Sequence, residues 1–454
     1  GLGDVYKRQD DTDPRNAYGP YFQRQRVEIY HTYAKSLVER GLAYPCFCTE
    51  EELDKVRAKQ EEDKVLTGYY GEYATCRNLS YEEVEANIKA GKPYVLRLRS
   101  QGSPDKEITF VDAIKGEIKL PENIHDIVLL KKDGIPTYHF AHAIDDHLMR
   151  TTTVVRGGEW LASAPIHYEL FHLLGFKMPA YAHTAHLMKF DEETGGKRKL
   201  SKRKDPELSL DYYRKDGYHP YTMKVYLLTL LNSNFEEWHE KFPDKDINEF
   251  PFSVEKMNQS GALFDKDKLH NICKNELSKL SEEELYDFLY DWAKENEPEN
   301  VEKWFGDREK MLQILRLYMG VGAKRRRKDL MYAKQIFELI SYFFDGESAE
   351  EMDEFKLDED MVSKILKSYL AKYDHNDDNS VWFNKLKEIA DEHGFASDMK
   401  AYKANPENFK GNVSDIAEAV RIAVTGRANT PDLWTIVHIM GEEQMTERIK
   451  KHIK

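Results

Sequence analysis

The segment Lys197–Lys204 reads KRKLSKRK, in which six of eight residues are basic and one is a serine. Gly195 and Gly196 precede it and allow its backbone to move. Ammonium groups on such a loop can neutralise phosphate oxygens while their charge shifts during phosphoryl or nucleotidyl transfer. The pattern favours a loop that binds a polyphosphate. A solvated surface loop or a general nucleic-acid patch is the alternative that composition alone leaves open.

A second candidate site surrounds Arg156. This arginine follows Val154 and Val155 and precedes two glycines, which predicts the C-terminal end of a strand. Open α/β sheets bind their ligands at that edge. The guanidinium could hold a substrate carboxylate through two parallel hydrogen bonds, or it could form a structural salt bridge. For the nearby Asp145 and Asp146 we favour capping of a helix N-terminus.

Three cysteines form a candidate metal site. Cys46 and Cys48 are separated by one residue, and Cys76 follows later in the chain. A structural zinc ion usually has four ligands, and Glu72 or Tyr73 could supply the fourth. The alternative is three reduced cysteines that hold no metal. The chain has four cysteines in all, too few for a disulfide framework and consistent with a reducing compartment.

A second basic segment, Lys324–Lys328, has five basic residues in a row. Arginines suit stacking on splayed bases and hydrogen bonding to them, whereas a solvated helix face is the alternative interpretation. The chain as a whole has 67 Lys and Arg against 81 Asp and Glu, a net charge of −14. That average alone argues against a nucleic-acid partner, but the two basic clusters concentrate positive charge locally.

Hydrophobic periodicity indicates the elements that carry these residues. It predicts a helix over residues 27–42, a helix capped at Thr49, short strands at 94–99, 108–111 and 127–130, and mixed elements from 138 to 187. After about residue 205 the pattern is mostly helical. The longest apolar run, near Val225–Leu231, is much shorter than the ~20 residues of a membrane span. We therefore expect an α/β part followed by an all-α part, in about three domains.

Together these segments resemble the glutamyl-tRNA synthetases, a family of class I aminoacyl-tRNA synthetases. Lys199–Arg203 is similar to the KMSKS-type loop of that family. The resemblance extends from Tyr18 nearly to the C-terminus. It also rests on short sequence matches that occur in the same order along the chain as in the family, at residues 46–53, 136–138, 145–147, 155–157, 261–269 and 420–427.

The resemblance implies a fold and a set of domains. The fold is α/β plus all-α: a partial Rossmann-like class I synthetase catalytic domain with an α+β insertion, then helical stem-contact and anticodon-binding domains. The expected boundaries are a non-native or disordered leader at 1–16, a catalytic remnant at 17–30, an acceptor-binding insertion at 31–134, the second half of the Rossmann-like domain at 135–195, the KMSKS loop and stem-contact region at 196–300, and the anticodon-binding domain at 301–454.

The resemblance also implies residue roles. The ATP loop would consist of Lys199, Leu200, Ser201, Lys202 and Arg203, with Lys202 the foremost candidate. Glutamate would be bound by Tyr138 and Arg156. Near the nucleotide would lie Glu159, Trp160 and His183. Binding of tRNA would involve Arg325, Arg326, Arg327, Arg421 and Arg427. Some relatives hold zinc in the insertion, here at Cys46, Cys48 and Cys76.

The implied reaction is ATP-dependent and has two steps. Glutamate attacks the α-phosphate of ATP to give glutamyl-adenylate and pyrophosphate, and the acyl group then passes to a terminal ribose hydroxyl of tRNA(Glu). Mg²⁺ accompanies the ATP phosphates. The expected partners are L-glutamate and tRNA(Glu), and we expect a cytoplasmic monomer without membrane contact. The alternatives are an enzyme that also charges tRNA(Gln), or a non-catalytic tRNA-binding relative, against which the intact Lys199–Arg203 loop argues.

The sequence departs from the family near its start. The HIGH signature and the glycine-rich strand–turn–helix that supplies it are absent. Asp10–Pro14 resembles an acidic family element but lies only a few residues before Tyr21–Arg26, so we interpret the match as coincidental. On either interpretation we expect the isolated chain not to form glutamyl-adenylate. Pyrophosphate exchange that depends on glutamate and tRNA would test this expectation.

Overall fold

The computed structural model describes residues 18–191, 194–201, 203–259, 261–344 and 352–454. The chain divides into two compact units, one of residues 1–199 and 229–264 and the other of residues 200–228 and 265–454. The proposed leader, the Asp10–Pro14 segment and Lys202 lie outside the described residues. The finer domain boundaries expected from the sequence stay predictions.

The strands all belong to the first unit. They are β1 (Ala43–Cys46), β2 (Val95–Leu98), β3 (Glu107–Asp112), β4 (Gly116–Pro121), β5 (Val128–Leu130), β6 (Thr153–Gly157), β7 (Ala180–Thr184), β8 (Leu187–Phe190), β9 (Lys197–Lys199) and β10 (Ala262–Leu263). The predicted runs at 94–99, 108–111 and 127–130 correspond to β2, β3 and β5.

The helices run through both units. As far as residue 241 they are α1 (Val27–Glu39), α2 (Glu50–Asp63), α3 (Tyr81–Lys89), α4 (Tyr138–Leu148), α5 (Ala164–Leu174), α6 (Leu210–Asp216), α7 (Pro220–Leu231) and α8 (Phe235–Lys241). After it they are α9 (Lys266–Leu277), α10 (Glu282–Asn296), α11 (Val301–Phe305), α12 (Arg308–Met319), α13 (Ala333–Ile340), α14 (Glu359–Lys372), α15 (Asn379–His393), α16 (Met399–Ala404), α17 (Val413–Thr425), α18 (Leu433–Met440) and α19 (Glu442–Lys450).

Local signals explain where several helices begin and end. Thr49 accepts a hydrogen bond from the backbone N–H of Glu52, whose carboxylate accepts from the N–H of Thr49, so the predicted capping box is confirmed. Helix α5 ends at Gly175, whose φ of 71° lies in the left-handed region that glycine adopts without steric cost. Helix α1 buries Tyr30, Ala34 and Leu37 along one face.

The first unit contains three small sheets. Strands β1, β2 and β5 form an antiparallel sheet. Strands β10, β8 and β9 form a mixed sheet, in which β8 pairs parallel with β10 and antiparallel with β9. The third has the order β4-β3-β7-β6, in which β3 and β6 both run parallel to β7. Residues 107–121, which the sequence analysis assigns to the insertion, thus share a sheet with β6 and β7. The carboxyl ends of these parallel strands meet at one edge, where ligands bind in open sheets.

The core of the first unit lies between α1, α4, α5 and the sheet of β1, β2 and β5. Asp145 serves this packing rather than capping a helix, so the capping prediction was wrong. It lies in the last turns of α4 and accepts hydrogen bonds from Arg26 Nε at 2.9 Å and Tyr30 Oη at 2.7 Å. Arg26 is only 2% exposed, and a cation so deeply buried requires a carboxylate partner.

The second unit is helical and has one large core. Residues of α10, α12, α13, α14, α15, α17 and α18 are buried against one another there. The isolated Cys273 is buried in α9, and its thiol contacts Thr222, as expected of a structural cysteine. Across the ranges that the structure describes, none of the helices has the length and apolarity that crossing a bilayer would take.

Candidate functional site

The guanidinium of Arg156 lies at the carboxyl-end edge of the four-stranded sheet. Arg156 is the penultimate residue of β6, which confirms the predicted strand end. Its Nε donates to Nε2 of His183 at 2.9 Å, and its Nη1 lies 3.1 Å from Nδ1 of His167. The guanidinium carbon is 4.7 Å from the centre of the Tyr181 ring. Two imidazoles and an aromatic face therefore surround this cation.

His183 is buried on β7 and is held by Asp112 at the end of β3. Its Nδ1 lies 2.6 Å from Oδ2 of Asp112, which also accepts its backbone N–H at 3.0 Å. Since Arg156 Nε–H can only donate, Nε2 of His183 must accept, and the imidazole proton is on Nδ1. Burial lowers the pKa of His183 and so favours this neutral form.

A second chain of hydrogen bonds leaves Arg156 through His167. Because Nη1 donates to Nδ1 of His167, the proton of this imidazole is on Nε2, which lies 2.9 Å from Nδ1 of His139. Burial, with smaller effects of His142 and Arg156, lowers the pKa of His167 far below its usual range. Burial also lowers the pKa of His139. Both imidazoles are therefore neutral at pH 7.

Arg156 consequently has no anionic partner among the residues that the structure describes. Its guanidinium also bonds to the hydroxyl of Tyr138, which is neutral, and Nη2 lies 3.5 Å from the carbonyl oxygen of Trp160. Burying a cation costs desolvation free energy, and neutral hydrogen-bond partners offset less of that cost than an anion would. This arrangement favours an anionic ligand at the Nη atoms and argues against the structural salt bridge left open above.

Aromatic side chains form a wall beside Arg156. Tyr138, the first residue of α4, has its ring centre 4.6 Å from that of Trp160 and stacks on His142 at 5.6 Å. His142 in turn lies 2.8 Å from Oδ2 of Asp146 through Nδ1, and 2.8 Å from the Tyr181 hydroxyl through Nε2. The structure thus brings the two predicted glutamate-binding residues, Tyr138 and Arg156, to one place together with Trp160.

The sequence analysis missed four side chains of this site: Asp112, His139, His167 and Tyr181. Asp112 directly follows a predicted strand, and a polar residue at a strand end was a usable signal. His167 lies within a predicted helix, where its neighbours gave no indication of a ligand. Its partner His139 is 28 residues away in sequence, so no local pattern connects the two.

Two of the residues predicted to lie near the nucleotide, Glu159 and Trp160, are on the segment between β6 and α5. Glu159 and Trp160 belong to the short 3₁₀ helix Gly158–Ser163. The Glu159 carboxylate is 3.4 Å from Nδ1 of His186, whose Nε2 is 3.5 Å from Nζ of Lys199. Lys199 ends β9, which pairs with β8 in the same unit. The ammonium group of Lys199 therefore lies at this end of the first unit.

Leu200, Ser201 and Arg203 of the predicted ATP loop belong to the second unit. Leu200 is buried, so it anchors the loop by packing. The backbone N–H of Ser201 donates to Asp205 at 2.8 Å, and the hydroxyl of Ser201 lies 3.3 Å from the N–H of Arg203. Lys202, the foremost candidate, lies outside the described residues.

The three predicted metal-binding cysteines come together at β1. The sulfur atoms of Cys46, Cys48 and Cys76 lie within 4.8 Å of one another. The neighbouring thiols of Cys48 and Cys76 lower the pKa of Cys46, because hydrogen bonds stabilise its thiolate. Three clustered sulfurs, one of which is readily deprotonated, form a donor set that suits a soft divalent metal.

The hydroxyl oxygens beside the cluster belong to Tyr69 and Thr75, and the predicted Tyr73 hydroxyl is not among them. The Tyr69 hydroxyl is 3.4 Å from the Cys46 sulfur and 3.3 Å from the Cys48 sulfur. The Tyr73 hydroxyl instead donates to Asp63 at 3.2 Å. Tyr69 is buried, and Arg97 lies 4.0 Å above its ring, so its hydroxyl has a defined position.

The basic segment Lys324–Lys328 lies in the irregular connection between α12 and α13, not on a helix face. Arg325 and Arg327 line a cavity of about 670 Å³ within the second unit. Its other polar lining residues are Gln313, Arg316, Asp432, Thr435 and His438. Three arginines around one concave surface suit a polyanion with exposed bases.

Arg421 and Arg427 do not line that cavity. Nη1 of Arg421 donates to the carbonyl oxygen of Ala428 at 3.3 Å, and Nη2 of Arg427 donates to that of Glu338 at 2.6 Å. Burial lowers the pKa of Arg421. Both side chains bond to the backbone of their own unit, so Arg325, Arg326 and Arg327 are the stronger candidates for tRNA contact.

Comparisons with known proteins assign this arrangement to a family. Residues 4–271 match the catalytic domain of the class I tRNA synthetases (E and Q), and residues 284–453 match an anticodon-binding domain. A glutamate–tRNA ligase of Acetivibrio thermocellus is 54% identical over 436 residues, which is 96% of this chain and 79% of that protein. One of Clostridium perfringens is 46% identical over 98% of this chain and 80% of its own length.

Solved structures agree. A glutamate tRNA ligase from Elizabethkingia meningosepticum, in complex with its amino acid, superposes with a TM-score of 0.73 at 26% identity. The superposed region covers 97% of this chain and 86% of the Elizabethkingia chain. The fold and site therefore define a class I aminoacyl-tRNA synthetase, with a catalytic domain and an anticodon-binding domain. Within that class, the chain belongs to the glutamate–tRNA ligases.

Proposed function

We propose that this chain carries the glutamate and tRNA recognition of an enzyme that ligates L-glutamate to tRNA(Glu) at the expense of ATP, by way of glutamyl-adenylate. One observation carries the proposal: Arg156 presents a partly buried cation whose protein partners are neutral imidazoles. The names of the similar proteins support the choice of glutamate as the amino acid.

The protein's part in the first step is to orient the amino acid. Nε of Arg156 is occupied by His183, and Nη1 has one hydrogen directed to His167, so a carboxylate would approach the free hydrogens of Nη1 and Nη2. The Tyr138 and Trp160 rings beside it would exclude water and restrict the bound conformation. Orientation of this kind lowers the activation barrier without a covalent intermediate on the protein.

The phosphate-binding part falls to the basic loop. Lys199 and, by family resemblance, Lys202 would neutralise the ATP phosphates as pyrophosphate leaves. Mg²⁺ would arrive with those phosphates, because magnesium at such sites is held mainly by phosphate oxygens and water. Ser201 and Arg203 shape the turn through their mutual hydrogen bond.

For tRNA we propose contact with the cavity lined by Arg325 and Arg327, and we expect the enzyme to act as a monomer. Two residues of the five-residue basic cluster, Arg325 and Arg327, line a concave surface in a chain of net charge −14. Such a concentration of charge attracts a polyanion despite the acidic average.

We also propose zinc at Cys46, Cys48 and Cys76. The clustered sulfurs match the soft, thiolate-rich donor sets of structural zinc sites, and the hydroxyls of Tyr69 and Thr75 each lie 3.3 Å from the Cys48 sulfur as further donors. Zinc there would stabilise the fold around β1 and take no part in the reaction.

Calorimetric titration of this chain tests the assignment of the amino-acid site. L-Glutamate is compared with L-glutamine and L-isoglutamine, in which one carboxylate or the other is an amide. If Arg156 holds a carboxylate, one amide should bind about tenfold more weakly or worse, because it replaces a charge-assisted hydrogen bond. Equal binding of all three compounds, or binding of none, would contradict the proposal.

A further inference from the structure

Asp112 is a buried carboxylate that the proposed reaction does not use directly. It is 1% exposed and accepts four hydrogen bonds. Oδ1 accepts the backbone N–H groups of Ile114 and Lys115, each at 2.9 Å, and Oδ2 accepts the backbone N–H and Nδ1–H of His183. All four partners donate, so both carboxylate oxygens of Asp112 have to act as acceptors.

We propose that Asp112 is a positioning residue for substrate binding. By accepting the Nδ1–H of His183, it makes Nε2 the acceptor of Arg156 Nε–H and so sets the orientation in which the guanidinium meets the carboxylate of the amino acid. The inference rests on the proposed role of Arg156 in binding glutamate.

The physical reason lies in the two tautomers of a neutral imidazole. With the proton on Nδ1, His183 accepts from Arg156 at 2.9 Å. With the proton on Nε2, two N–H donors would face each other, and the guanidinium would have to turn away. Asp112 removes the second state, because its carboxylate accepts at Nδ1 and has no proton to donate there.

The tautomer also decides how a carboxylate can approach. An arginine can bind a carboxylate side-on through Nε and one Nη, or end-on through both Nη atoms. Since Nε is occupied by His183, only the end-on approach is open. In the other tautomer Nε would be released and both approaches would compete, so the bound amino acid would lose its single orientation.

The strand order of the sheet brings together the hydrogen-bonded series Asp112–His183–Arg156, here called the relay. Asp112, His183 and Arg156 lie on β3, β7 and β6, which are adjacent parallel strands. Arg156 pairs in register with His183, and Asp112 pairs with Tyr181, two residues earlier on the same strand. Hydrogen-bonded strands fix these spacings, so the three side chains need little further ordering to form the relay.

The experiment uses selective ¹⁵N-histidine labelling of the chain and Asp112→Asn. In this variant, the side-chain amide at position 112 has to turn its NH₂ group either toward His183 or toward the N–H groups of Ile114 and Lys115. In the wild type, His183 should show a protonated Nδ1 and an unprotonated Nε2, with its signals assigned by their loss in His183→Gln. In Asp112→Asn that pattern should disappear, and glutamate affinity should fall about tenfold.

A second variant separates positioning from general structural damage. The carbonyl of a glutamine at position 183 can accept from Arg156 whatever occupies position 112. The double variant Asp112→Asn/His183→Gln should therefore recover glutamate affinity relative to Asp112→Asn alone. Asp105→Asn, in an exposed turn, is the matched control and should behave as the wild type.

Three results would overturn the inference. One is an Nε2–H tautomer of His183 in the wild type. Another is unchanged glutamate affinity in Asp112→Asn, and the third is a double variant no better than the single one. If the wild type itself bound no glutamate, the proposed function would fail. In that case the positioning role of Asp112 would be tested without glutamate. The tautomer of His183 and the hydrogen-bonded Nε–H signal of Arg156 would be compared between the wild type and Asp112→Asn.

Discussion

The side chains of Arg156 and His183 meet across two adjacent parallel strands, with Nε of the arginine 2.9 Å from Nε2 of the histidine. The contact joins a permanent cation to a neutral acceptor. It orients the guanidinium without neutralising it, which a carboxylate in the same place would do. The positive charge stays available for a ligand, and this property can be tested by substitution.

Replacing Arg156 by lysine should weaken glutamate binding although the charge is retained. An ammonium group cannot reproduce the planar fork, and its three donors share one nitrogen, so it cannot span the separate positions of Nε, Nη1 and Nη2. We expect a loss of about tenfold or more, measured by calorimetry. Arg57→Lys, on exposed α2, is the control. Unaltered affinity in Arg156→Lys would remove Arg156 from the binding site.

Acidification should destabilise the first unit through its buried histidines. Burial lowers the pKa of His167, so below about pH 6.5 the unfolded chain binds a proton there that the folded chain does not. Stability should then fall with decreasing pH, by up to about 1.4 kcal/mol per pH unit for this group.

Urea unfolding between pH 7 and 5 measures this dependence. His167→Asn keeps an acceptor for Arg156 but does not titrate, so its stability should depend less steeply on pH than that of the wild type. Tyr168→Phe, on the exposed side of the same helix, serves as the control. Identical slopes in the wild type and His167→Asn would show that His167 is protonated equally in both states.

Elemental analysis should find about one zinc ion per chain. Cys48→Ser should lose it, because the site would keep only two thiolates. Tyr69→Phe should bind zinc more weakly without abolishing binding, since it removes one oxygen near the sulfurs. Cys273→Ser, remote from the cluster in sequence and buried in α9, should retain the metal. A wild-type chain purified without metal, and unable to take up zinc, would refute the site.

Reversing two charges of the basic connection should weaken tRNA binding. For Arg325→Glu with Arg326→Glu we expect a loss of about tenfold or more at low salt. The slope of log affinity against log salt should also fall by roughly 1.5, because about two counterions fewer are released. Lys400→Glu with Lys403→Glu makes the same change of net charge on exposed α16. Equal effects of the two pairs would assign the loss to overall charge rather than to this cavity.

Much of the local structure could be predicted from the sequence. The apolar spacing of α1, the Thr49 capping box and the β-type runs depend on neighbours within a few residues. The position of Arg156 at a strand end followed in the same way, from two valines before it and two glycines after it. The proposed ATP loop was recognised because its basic residues are consecutive.

The partners of those residues could not be predicted in this way. Asp112 and His183 are 71 residues apart, and Cys48 and Tyr69 are 21 apart. Tyr73 was the more obvious ligand because it is closer to Cys76 in sequence, but its hydroxyl bonds to Asp63. Likewise, Asp145 matched a capping pattern, and only the position of Arg26 revealed its role.

The sequence alone indicated the class of protein and the order of its α/β and helical parts, and it led to the residues that we propose bind a carboxylate and phosphates. The tertiary structure decided which neutral groups hold Arg156, which tyrosine adjoins the cysteines and which arginines share a cavity. The reason is that hydrophobic periodicity and capping record local interactions, whereas the partners of a binding site are set by strand order and register. These bring together residues that no short-range pattern connects.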